Sequence, residues 1–183
     1  MVTSMDQIPW YRRIFSSARE FDLKATQAKA DRGDPEAQFA LGLKCGIGQG
    51  TLLDLVQAAQ WYRKAAEQNH PLAQLNLGLM YAKGEGVPLD DAEAVGWIRK
   101  AAQQGDAGAQ FNLGIRHQRA SIWGLQLEVP ESKIEAYKWL RLAAAQGYRG
   151  SAEAHERVTL EMTREEVVEG NRRAAELVAG LAV

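Results

Sequence analysis

The chain repeats itself every 36 residues, and this constrains its fold more than any other feature. Ala37-Gln38-x-x-Leu41-Gly42 returns as Ala73-Gln74-x-x-Leu77-Gly78 and again as Ala109-Gln110-x-x-Leu113-Gly114. Trp61 returns as Trp97 after the same step, and as Trp139 after a step of 42. Aligned without gaps, 33–68 and 69–104 are identical at 17 of 36 positions, where chance gives about two or three. A unit of this length cannot bury its apolar face alone, so tandem copies stack and share one core.

Each unit reads as two helices. Helix A opens at Asp34-Pro35-Glu36, where Asp34 caps free backbone N–H groups and Pro35 at the first helical position loses nothing. Ala37, Leu41 and Cys45 then fall on one face. Gly42 suits a close helix approach, and glycines between Gly46 and Gly50, or Gly84 and Gly86, end the helix. Helix B opens near Asp54 or Asp90 and carries Ala58-x-x-Trp61-x-x-x-Ala65 or its copy on one face. Gly33, Gly105 and Gly147 terminate the preceding helices, with Asn69 as the substitute in the second unit. The 29 Ala and 5 Pro lean the same way, since Ala favours helix most and Pro least.

The expected organisation is a single all-α repeat domain over 1–183. A capping helix region at 6–31, with Trp10, Ile14, Ala18 and Phe21 at helical spacing, precedes repeats at 33–68, 69–104 and 105–146. The third repeat carries six extra residues between its helices. An atypical last repeat and a C-terminal capping helix fill 147–183, the latter opened by the capping-box pattern Thr163-Arg164-Glu165-Glu166. In the last helix A, His155 stands where Leu113 stood.

Signatures of chemistry are missing. Cys45 is the only cysteine, which excludes an intramolecular disulfide and a multi-cysteine metal site. It is expected to pack in the core as an inert thiol. His70, His117 and His155 form no local metal motif, and neither a phosphate loop nor a serine acyl-transfer motif occurs. No catalytic residue, metal or cofactor is expected. Lys plus Arg is 22 and Asp plus Glu is 23, so the net charge of −1 argues against a general nucleic-acid binder. No run approaches the ~18 apolar residues of a membrane span. The first residues lack the ~7–15-residue apolar core of a secretory signal, so the chain reads as cytoplasmic.

Unit 69–104 carries Ala73-Gln74, Leu77-Gly78, Met80-Tyr81, Gly84-Glu85-Gly86-Val87, Asp90, Ala94, Trp97 and Lys100-Ala101-Ala102. This pattern resembles the Sel-1-like repeats, relatives of the tetratricopeptide repeat, and the resemblance covers about 33–150. It implies a right-handed α-α superhelix, a short solenoid of helix pairs. It also implies a non-enzymatic adaptor or scaffold that binds another protein on a concave surface. Cys45 and His117 depart from the pattern by replacing its Tyr, and the third unit lacks the Gly-x-Gly loop.

Positions next to the core stripe of each A helix are the candidate partner-binding residues. One column reads Phe39, Leu75 and Phe111, either inter-repeat packing or groove. A second reads Leu43, Leu79 and Ile115, and a third reads Ala40, Asn76 and Asn112, whose amides suit a peptide backbone. Arg116 and Arg119 place cations at one edge. Together they suit a peptide or helix with apolar anchors and some acidic character. The apolar insertion 120–130 contains Trp123 and is either a binding loop or a lid over the last repeat. The competing readings are an immunity-type protein, self-assembly as a homodimer through the array ends, and an enzyme with an unrecognised site.

Overall fold

A computed structural model describes residues 23–48, 53–123 and 129–181; among these the chain forms helices and no strand. The helices are α1 (Leu23–Asp31), α2 (Pro35–Ile47), α3 (Leu55–Glu67), α4 (Pro71–Lys83), α5 (Asp91–Gln103), α6 (Ala107–Trp123), α7 (Val129–Ala145), α8 (Ser151–Leu160) and α9 (Arg164–Leu181). Each helix from α1 to α7 packs on the next, so the fold is an all-α solenoid. Trp10, Ile14, Ala18 and Phe21 lie outside the described residues.

Local sequence sets the helix ends. Asp34, Asp54, Asp90 and Asp106 each accept a bond from a backbone N–H of the first turn, at 2.7–3.0 Å. His70 replaces the capping Asp in the second unit, its Nδ1 accepting from the Ala73 N–H. Thr163 and Glu166 form the reciprocal capping box at the start of α9. Asn69 takes a positive φ of 64° where the other units use glycine.

Within each pair, the helix-A glycine admits the helix-B residue that follows the tryptophan. A Cβ on Gly42 would lie 2.6 Å from the Tyr62 ring, one on Gly78 2.7 Å from Ile98 Cγ1, and one on Gly114 2.6 Å from Leu140 Cγ. A glutamine joins each pair to the helix before it. Gln38, Gln74 and Gln110 are buried, and each Nε2 donates to a carbonyl near the end of the preceding helix, Ala30, Ala66 and Ala102 in turn. Each Oε1 accepts from Gln68, Gln104 or Gln146 of its own repeat at 2.7–2.9 Å, so each of these three amides is satisfied at both its nitrogen and its oxygen. By this register α1 takes the place of a helix B in front of the first repeat.

The C-terminal helix folds back. α9 packs on α7, where Gly170 sits against the Tyr137 ring and the Tyr137 hydroxyl donates to Asn171. Arg173 pairs with Glu131, Glu135 and Glu169. Ala174 and Leu177 join the core around Trp139, which is buried, whereas Trp61 and Trp97 remain half-buried under the amines of Lys64 and Lys100.

Candidate functional site

The structure divides the eleven candidate residues. Phe39, Leu43 and Leu75 are only 5–6 % exposed, so they belong to the core and offer no surface to a partner. Phe39 stacks on His70 with ring centroids 4.6 Å apart, and Leu75 packs with Ile98 and Leu113. Phe39 and Leu75 thus take the inter-repeat packing alternative, and for Leu43 burial corrects the expectation of a groove-facing side chain. Asn76 is half-buried and donates to the Leu72 carbonyl one turn back, at 2.8 Å. α6 runs to Trp123, whose side chain lies outside the description.

Leu79, Phe111, Asn112, Ile115, Arg116 and Arg119 do meet. They line a cleft of about 700 Å³ between α4, α5 and α6, at the junction of the second and third repeats. Ala82, Val95 and Leu113 extend its apolar surface, and Ala120 marks its edge where the insertion begins. Asn112 gives one N–H to the Gly108 carbonyl at 2.8 Å. Phe111 tilts against Tyr148, centroids 5.3 Å apart, which fixes one wall.

The junction one repeat earlier shows why the cleft opens here. Subtracting 36 from its lining turns Asp91 and Arg116 into Leu55 and Met80, and Phe111 into Leu75. Leu55, Leu43, Met80 and Tyr81 join one core cluster at that earlier junction, and Arg63 donates to the Tyr81 hydroxyl. At the second junction the hydroxyl is lost because His117 occupies the Tyr81 position. Arg99 and its equivalent Arg63 are both exposed, but Arg99 has no tyrosine hydroxyl at that position to donate to. Arg116 pairs with Asp91 at 2.5 Å instead of filling the interior as Met80 does. Replacing apolar packing by a charged pair that seeks water leaves the space between the helices unfilled.

Electrostatically the cleft is basic. Arg99, Arg116 and Arg119 face one carboxylate, Asp91, which Arg116 already holds. Arg99 and Arg119 make no ion pair among the described residues. Burial lowers the His117 pKa below the ordinary histidine value, which keeps the ring uncharged at neutral pH. Glu135 and Glu131 act on His117 in the opposite sense, but Lys138 and Arg173 hold Glu135, and Arg173 also holds Glu131.

Sequence reasoning missed the contribution of α5. Asp91, Val95 and Arg99 line the cleft although the expected surface came from A helices alone. The available signal was the break in the repeat at Leu55/Asp91 and Met80/Arg116. Cys45 is buried and its thiol donates to Gln57 Oε1. His155 packs on the Tyr137 ring, centroids 4.6 Å apart, away from the cleft. Among the described residues, no three His, Cys, Asp or Glu side chains come together to hold a metal.

Comparison with known proteins defines the class. The Sel1 repeat family model matches residues 35–70, 71–106 and 107–148. The chain therefore belongs to the Sel1 repeat family, whose members generally mediate protein–protein interaction as non-catalytic repeat scaffolds. The chain is similar to c5321, a protective antigen present in uropathogenic Escherichia coli strains that displays an SLR fold. The two are 27 % identical with a TM-score of 0.72 over 88 % of this chain, which spans about one third of that protein (33 %). It is also similar to a Sel1 repeat protein from Oxalobacter formigenes, with 35 % identity and a TM-score of 0.61 over 74 % of this chain and 97 % of that one. No curated protein matches the sequence significantly.

Proposed function

We propose that the chain is a non-catalytic interaction module that holds a segment of a partner protein in the cleft between its second and third repeats. The observation that carries this reading is the difference between two equivalent junctions. In one, Leu55 and Met80 pack with the core and Arg63 bonds Tyr81; in the other, Asp91, Arg116 and His117 take those places and line a cleft. Half-buried apolar walls with polar groups at the rim are the anatomy of a docking site. The insertion starts at Ala120, one of the residues lining the cleft, and carries Trp123 three positions on.

Affinity capture from a lysate of the source organism tests this. Wild type is compared with a Leu79→Asp/Ile115→Asp variant of unchanged helicity and with Trp123→Ala. A protein retained by wild type and lost by the cleft variant is expected; a partner retained equally by both places the site elsewhere. Family membership is compatible with the cytoplasm and with the periplasm, since the family has periplasmic members. No described helix is long and apolar enough to cross a membrane. Self-association through the C-terminal end is a second reading, favoured by the exposure of Leu160 and Val168. A monomeric mass in light scattering at high protein concentration removes it.

A further inference from the structure

The cleft also carries information about the chemistry of what it holds, provided that it is the docking site argued above. We propose that the bound segment is acidic: a short stretch of a partner protein with an apolar anchor flanked by carboxylates, which Arg99 and Arg119 receive.

The whole chain is slightly negative, at −1, yet three arginines and a single aspartate line this cleft. Asp91 is spent on Arg116 at 2.5 Å, so it neutralises one guanidinium and leaves two. The nearby glutamates are held elsewhere, Glu135 by Lys138 at 2.7 Å and by Arg173 at 3.1 Å. Arg99 and Arg119 are exposed, and a guanidinium offers a planar fork of donors that fits a carboxylate in two places. The same cleft offers an aliphatic surface from Leu79, Val95 and Ile115, able to take one large apolar side chain. At about 700 Å³ the cleft has the size of a small-ligand pocket, enough for a few side chains rather than the face of a long helix.

A nucleic-acid strand fits this pattern less well. Its affinity comes from a row of cations following successive phosphates, whereas here two unpaired guanidiniums border an apolar floor.

The test is selection from a random dodecapeptide library displayed on phage. Wild type is the bait, and the Leu79→Asp/Ile115→Asp variant removes peptides that bind elsewhere. The expected survivors place Asp or Glu within two residues of Leu, Phe or Trp. The tightest survivor is then titrated by fluorescence anisotropy against wild type and an Arg99→Gln/Arg119→Gln variant, with circular dichroism to confirm that both are folded. Affinity is expected to fall about tenfold or more in the variant and by a similar factor when the peptide's carboxylates become amides. Added salt is expected to weaken wild type more than the variant. Cleft-dependent survivors without acidic residues, or an unchanged affinity in the arginine variant, overturn the acidic assignment and leave the docking cleft standing. An absence of any cleft-dependent survivor overturns both. Tighter binding of a single-stranded oligonucleotide than of any peptide replaces the proposed partner class.

Discussion

Two glycines, one in each helix of the second repeat, should respond to the same substitution with opposite sign. At Gly78 an added Cβ meets Ile98 Cγ1 at 2.7 Å, the Ala94 carbonyl oxygen at 2.9 Å and Ile98 N at 3.1 Å. Comfortable carbon contacts lie near ~3.5–4.0 Å, and two of these three neighbours are backbone, so α4 and α5 must move apart. At Gly96, in the same repeat, an added Cβ meets nothing within 4 Å. Both positions are helix interiors, so Gly→Ala gains about 0.5–1 kcal/mol of helix propensity at each. That gain cancels in the difference between the variants, which leaves the overpacking cost of roughly 1–3 kcal/mol. Gly96→Ala is therefore expected to be more stable than wild type and Gly78→Ala less so. A 2 kcal/mol separation corresponds to about 4–8 °C in Tm for a chain of this size. Urea and thermal denaturation followed by helical circular dichroism read both quantities. A Gly78→Ala variant as stable as Gly96→Ala would refute the close-approach argument.

Other expectations follow from the same contacts. Gln74→Leu keeps the volume but removes the bonds to Ala66 and Gln104, so a loss of about 1–3 kcal/mol in urea denaturation is expected; an unchanged midpoint would mean that the buried amide adds nothing. Arg173→Ala unfastens α9 from α7 and is expected to cost about 1 kcal/mol, read as faster amide exchange confined to α9. His117 and His155 both titrate below the ordinary histidine value because of burial, so the unfolded chain binds protons that the folded chain refuses. Stability is therefore expected to fall as pH drops through about 6.5, and to recover above it. His155→Leu should flatten the Tm profile between pH 7.5 and 5.5. The lowered carboxylates Glu135 and Glu169 act only at more acid pH, Glu169 with a pKa of about 2. An unchanged slope in the variant would count against this assignment for His155.

The repeat made most of the fold legible. A 36-residue step, a capping Asp before four of the helices and a glycine opposite each helix B are local signals, and each has a direct structural counterpart. Exposure was not legible in the same way. Leu75 and Phe111 occupy equivalent positions, yet one is buried and the other half-buried, because exposure depends on what the next helix brings. Periodicity averages over just those differences. The cleft residues from α5 were missed for a related reason: reading A helices as columns left out the helix-B position where Asp91 replaces Leu55. The glutamine pairs stood in the sequence at 30- and 36-residue separations, but a polar side chain gives no sign from spacing alone that it is buried.

The glutamine staples have a consequence for how such an array changes over time. Gln74 and Gln110 each tie their unit to the one before it without lining the cleft. Assembly and recognition therefore draw on separate sets of positions at one junction. Substitutions can accumulate on the cleft walls and alter the target while the staple keeps the units in register. A duplicated unit arrives with its own glutamine and finds a carbonyl waiting at the end of the unit before it. Lengthening the array and changing its specificity are then independent operations on one gene.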